Sequence, residues 1–138
     1  MQRLKTRAQF QAVLAGSTLA RTPHFALHHC ALDTPMPAVT APDAVRLFPL
    51  AVVWLGAMVP KRWAKRAVTR NAIKRQIYHV SAEMQTRLQA RAHVVRLRAA
   101  FDRAQFHSAS SDALKAAVRS ELLELFGRVP QSAQGGQP

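Results

Sequence analysis

At 138 residues and 49% hydrophobic content, the chain is long enough for one domain with its own core and too apolar to be disordered throughout. Twenty Lys and Arg stand against seven Asp and Glu, a formal net charge of +13, which argues for a polyanionic partner, either nucleic acid or an anionic membrane surface. No run of 18 apolar residues is present, Met1-Gln2-Arg3-Leu4-Lys5-Thr6-Arg7 lacks the pattern of a secretory signal, and the single Cys30 permits no intrachain disulfide; a cytoplasmic protein without a membrane span is expected.

Residues 3–15 read as a short helix, with Leu4, Phe10, Val13 and Leu14 apolar and Gly16-Ser17 ending it. Residues 17–23 read as a connector. Residues 24–32 are a strand, with Phe25 and Leu27 on one face and the smaller, more polar Ala26 and His28 on the other. Such a strand buries one side and shows the other to a groove. The group His24, His28, His29 and Cys30 invites a metal reading, but zinc sites want paired ligands at turn spacing; histidines facing a polyanion are preferred. Residues 33–49 carry Pro35, Pro37, Pro42 and Pro49 and read as an inserted surface loop.

The continuous apolar run at 50–59 predicts a strand buried on both faces, stopped by Pro60. Trp63 either shields the turn that follows or stacks on a base. A helix is predicted over 65–89, with an apolar seam at Ile73, Ile77, Val80, Met84 and Leu88. Its first turns place Arg66, Arg70, Asn71 and Lys74 outward, where the helix N-terminus adds partial positive charge. Residues 92–98 form a third strand with Arg96 and Arg98 on one face. Residues 99–108 are a loop, 112–126 a last helix capped by Ser110 or Ser111, and 129–138 a flexible polar tail. The domain reading is a single domain over 1–128, with 33–49 inserted in it and 129–138 beyond it. The order helix, strand, strand, helix, strand, helix gives an α+β fold, helices packed on a small mixed sheet.

The densest charge lies between the second strand and the long helix. Residues 61–75 hold seven Lys or Arg and no acid, and residues 1–82 hold twelve against only Asp33 and Asp43. An ordinary solvated helix would intersperse acids among such cations. No phosphate-binding glycine loop, nucleophile elbow or helical histidine pair is present. Metal-dependent phosphodiester chemistry would want carboxylates where the basic surface lies, and there are almost none. The residues therefore point to a nucleic-acid-binding subunit with no catalytic residue and no metal site of its own.

Arg70-Asn71-Ala72-Ile73-Lys74-Arg75, preceded by Lys61-Arg62 after an apolar strand, resembles the Arg-Asn-Arg-x-Lys-Arg helix of the bacterial ribonuclease P protein component. Arg3-Leu4-Lys5, Phe10, Val13 and Phe25-Ala26-Leu27-His28 fall where that family has its first helix and first main strand, so the likeness spans about residues 3–126. Ala72 departs from the signature, as do Pro60, Trp63, the length of the 33–49 loop, and His28 where an aromatic residue is common.

The resemblance implies an α/β sandwich, ribosomal protein S5 domain 2-like, with a left-handed βαβ crossover. It also implies a function: endonucleolytic removal of the 5′ leader of precursor tRNA, with catalysis by an RNA subunit and Mg²⁺ used by the ribonucleoprotein. By that likeness Lys61, Arg62, Arg66, Arg70, Asn71, Lys74 and Arg75 bind the catalytic RNA, while Phe10, Leu14, Ala26 and His28 line a groove for the single-stranded leader. Plain core burial is the competing role for Phe10. The expected partners are the ribonuclease P RNA and precursor tRNA, with neither DNA nor membrane. The alternative is a general RNA-binding or ribosome-associated protein with no part in cleavage.

Overall fold

The computed structural model describes residues 1–33, 47–101 and 112–130. Within them a five-stranded mixed sheet carries three α-helices. In chain order the elements are β1 (Gln2–Arg3), α1 (Arg7–Leu14), β2 (Ser17–Arg21), β3 (Phe25–Cys30), β4 (Trp54–Met58), α2 (Ala67–Glu83), β5 (Ala92–Leu97) and α3 (Asp112–Gly127). The sheet order is β1-β4-β5-β3-β2. β1 and β5 flank β4 in parallel, and β3 is antiparallel to both β5 and β2. This is the expected α+β class.

Two strands lie where sequence reading placed none. Gln2–Arg3 begins the sheet instead of the first helix: the Gln2 amide donates to Val53 O (2.9 Å) and the Leu4 amide to Leu55 O (2.9 Å). α1 starts only after Thr6, which forms a capping box with Gln9. The Gln9 amide nitrogen also donates to Leu47 O (2.9 Å), pulling the end of the 33–49 segment onto the helix. Leu47 and Phe48 are accordingly buried, while 34–46 lie outside the described residues. The connector at 17–23 is instead edge strand β2, short, irregular between Thr18 and Ala20, and mostly exposed.

The two faces of the sheet are covered differently. Phe25, Leu27, Leu55, Val95 and Leu97 pack under α2 and α3 against Ile73, Ile77, Val80, Leu122 and Phe126. On the other face Val94, Trp54 and Cys30 meet Leu4, Val13 and Phe48 beneath the two-turn α1. Strand β4 is an interior strand and buried, as its apolar run implied, but begins at Trp54; Leu50 and Val52 are exposed. α2 stops at Glu83, short of residue 89. A 3₁₀ turn at Gln85–Arg87 then returns Leu88 to the core, so the apolar seam outlasts the helix. Val129 is buried as well, which carries packing one residue into the stretch read as a tail; 131–138 lie outside the described residues.

Gly56 sets how α1 sits. A Cβ there would lie 2.6 Å from the Phe10 ring and 2.9 Å from Leu4. Phe10 therefore rests on the β4 backbone, partly buried, with the rest of its ring open along the helix edge.

Candidate nucleic-acid interface

The basic stretch is shaped by a turn and a brace. Pro60 ends β4, and its carbonyl accepts from the amides of Trp63 (3.1 Å) and Ala64 (3.2 Å). Ala64 is buried, so Lys61, Arg62, Lys65 and Arg66 are thrust into solvent around it. The Arg70 guanidinium reaches back from α2 and donates to Ala64 O (3.0 Å) and Lys65 O (2.8 Å). Arg70 thus holds the basic turn, a role not legible in the signature. Arg66 occupies the N-cap position without a side-chain cap bond, and the first turn of α2 holds no acid. Trp63 packs on the main core, which favours its shielding role; its indole N–H is buried without a partner among the described residues.

Ala72, the departure from the signature, faces inward and is 8% exposed. Asn71, Lys74 and Arg75 face outward and line a pocket of about 500 Å³ with Arg3, Tyr78 and His79. The predicted RNA-binding residues therefore divide: Asn71, Lys74 and Arg75 border this pocket, while Lys61, Arg62, Arg66 and Arg70 belong to the turn and helix start. Among the described residues none of these cations forms an ion pair. Arg3 was missed because only the β1–β4 pairing brings it to α2. Tyr78 and His79 lie seven and eight residues beyond Asn71 and were visible by helical projection.

The second predicted site is the sheet face beside α1. Register places Met58, Arg96, Ala26 and Arg21 in one row across β4, β5, β3 and β2, and Gly56, Val94, His28 and Thr18 in the next. Ala26 is fully buried and His28 is 8% exposed, which corrects the expectation that this side of β3 lies open. Neighbouring strands and α1 cover it. Phe10 and Leu14 remain partly exposed above.

Arg96 and Arg21 stand on either side of small Ala26 as the accessible charge, and sequence reading did not include them in the groove. Arg96 Nε donates to His28 Nε2 (3.2 Å), which must therefore hold a lone pair; the proton sits on Nδ1, toward Thr18 Oγ1 (3.3 Å). Burial, then the charges of Arg96 and Arg21, hold the His28 pKa below its ordinary value. Burial and the neighbouring Arg98, Arg62 and Arg21 lower that of Arg96. A polyanion relieves this crowding.

The remaining histidines scatter. His24 Nδ1 contacts Glu121 (2.8 Å) and its ring stacks on Phe101 at 4.0 Å, on the α3 side. His93 is buried, with Nδ1 donating to Trp54 O (3.2 Å), and burial pushes its pKa down to about 4. The polyanion-facing role expected for the 24–29 histidines thus fails for His24, and His93, outside that group, is a core residue. Among the described residues no three His, Cys, Asp or Glu side chains are grouped to hold a metal ion. Glu121 accepts from Thr22 Oγ1 and the His24 amide (2.6 Å each), Glu83 pairs with Arg119, and Glu124 with Arg128, all around α3.

Fold and surface define a small basic α+β protein built to face a polyanion. The family model described as Ribonuclease P matches residues 1–121. The ribonuclease P protein component of Azoarcus sp. (strain BH72) is 32% identical over 130 residues, covering 94% of this chain and 88% of the relative. That of Bordetella avium (strain 197N) is 34% identical over 127 residues, covering 92% and 90%. Among solved structures, the Staphylococcus aureus RNase P protein superposes with a TM-score of 0.62 at 20% identity, over 92% of this chain and 94% of that one. The Thermotoga maritima RNase P protein gives 0.61 at 19%, over 94% and 99%. The chain belongs to the ribonuclease P protein family, whose business is tRNA 5′ processing.

Proposed function

We propose that this chain binds the ribonuclease P RNA through Lys61, Arg62, Arg66, Arg70, Asn71, Lys74 and Arg75, and steers the precursor-tRNA leader along the sheet face beside α1. The observation that carries this reading is the exposed basic turn and helix start at 61–75, in which no cation has an acidic partner among the described residues. Such a surface neutralises the phosphates of a folded RNA. Phe10 and Leu14 offer apolar contact to unstacked bases, and Arg96 and Arg21 offer charge to the phosphates between them.

Phosphodiester cleavage itself is assigned to the RNA subunit, with Mg²⁺ held by RNA phosphates. The carboxylates Glu83, Glu121 and Glu124 are already committed to Arg119, to Thr22 and His24, and to Arg128, so they do not fit as its ligands. A cytoplasmic site of action follows from the ribonuclease P reading; the described residues include no helix long and apolar enough to cross a membrane.

Reconstitution tests the proposal. The protein is mixed with ribonuclease P RNA and precursor tRNA at low Mg²⁺, and cleavage is followed. Neither the protein nor the RNA should cut efficiently under these conditions; together they should. RNA binding without stimulation would instead favour a general RNA-binding protein.

A further inference from the structure

The pocket between β1 and α2 is more than a patch of charge. We infer that it captures one unstacked RNA nucleotide, with the base laid on the Arg3 guanidinium and the phosphate held by Lys74 and Arg75. This deepens the RNA-binding reading and rests on it.

Size is the first argument. The hollow of about 500 Å³, open on its outer side, has room for a nucleotide, far more than a lone phosphate needs.

The second argument is a prebuilt platform. The Arg3 guanidinium carbon lies over the Tyr78 ring, 3.9 Å from its centroid. Tyr78 thereby restrains the guanidinium from one side, while Arg3 is otherwise exposed and open to a second ring. Tyr78 is itself anchored, since its hydroxyl accepts from the Ala57 amide (3.3 Å) at the uncovered edge of β4. Arg3 is anchored through its backbone by the bonds from Gln2 to Val53 and from Leu4 to Leu55. A platform ordered before binding spares the complex that entropy cost.

The third argument is the chemistry around the platform. Lys74 and Arg75 are exposed and form no ion pair among the described residues. Asn71 and His79 add donors and acceptors for a base edge or a ribose hydroxyl. Asn71, Lys74 and Tyr78 follow one another at helical spacing, so one face of α2 supplies this wall while β1 supplies the opposite one. Stacking plane, phosphate cations and polar edges are the parts by which single-stranded RNA bases are held. The exposed turn at 61–66 has cations but no such hollow.

The test uses the full-length protein, with adenosine and uridine 5′-monophosphates compared with inorganic phosphate by amide and arginine Nε NMR shifts. A nucleotide should perturb Arg3, Asn71, Lys74 and Tyr78 and bind about tenfold more tightly than phosphate. Arg3→Lys keeps the charge and loses the plane, so it should reduce nucleotide affinity to that of phosphate and leave phosphate binding unchanged. In the complex with ribonuclease P RNA, the same variant should weaken binding by about fivefold or more with an unchanged salt slope.

Equal affinity for phosphate and both nucleotides overturns the inference, as do shifts confined outside the pocket or an Arg3→Lys protein that behaves as wild type. Nucleotide capture without stimulation of cleavage would sink the ribonuclease P role and leave the pocket standing. Stimulated cleavage with no nucleotide preference would do the reverse.

Discussion

Arg70 carries two jobs that substitution can separate. Its Nη1 donates to Ala64 O at 3.0 Å and Lys65 O at 2.8 Å, bracing the turn that displays the cations; its charge is available to RNA. Bonds from a charged donor are individually worth about 1.5–3 kcal/mol when sheltered, but these are partly exposed, so Arg70→Ala should cost only about 1 kcal/mol of stability. On RNA, loss of one phosphate contact should reduce the slope of log K against log salt by about 0.7–0.9. Arg70→Lys retains the charge but not the planar fork, so it should keep the salt slope while loosening the brace. Hydrogen exchange at the Trp63 and Ala64 amides, which bond to Pro60 O, reports that loosening. The assay is a salt titration of RNA binding for wild type and both variants, with exchange measured in parallel. An unchanged slope in Arg70→Ala removes Arg70 from the RNA contact. Wild-type protection and affinity in Arg70→Lys removes the brace.

Other outcomes follow from the same geometry. Gly56→Ala drives a methyl to 2.6 Å from the Phe10 ring and should cost about 1–3 kcal/mol in urea unfolding, with α1 displaced from β4. His93 folds neutral: its native pKa of about 4 lies below the unfolded value of 6.5, so the unfolded state takes up the proton first. Stability should be full above pH 6.5, fall by roughly 3 kcal/mol as pH drops from 6.5 to 4, and fall no further on this account below that. His93→Gln should flatten that stretch of the pH–stability curve. Arg96→Ala should lower the salt slope of leader-dependent precursor-tRNA binding by about 0.7 and leave binding of leaderless tRNA unchanged; an equal loss for both substrates would place Arg96 outside the leader path.

Much of the site was readable from residue order because it is local. A basic run without acids, a proline that stops a strand, and a helix seam are properties of neighbours in sequence, and Asn71, Lys74 and Arg75 face solvent as their helical spacing required. His28 and Ala26 were harder. Alternation assigns them correctly to one face of β3, but it does not say that β2, β5 and α1 close over that face and leave Arg96 and Arg21 as its accessible charge.

Strand existence shows the same divide. β3, β4 and β5 announce themselves by apolar composition, whereas β1 and β2 exist only because the sheet offers them hydrogen bonds. Gln2–Arg3 has no strand signal of its own; pairing with β4 makes it one. That pairing carries Arg3 across to Tyr78 and forms a hollow beside the basic helix face. Charge, element type and the scarcity of acids along the basic stretch follow from composition and period, which act over a few residues. Which cations merely face water, which brace a turn, and which line a hollow depend on contacts between distant segments, and those are settled only when the sheet assembles.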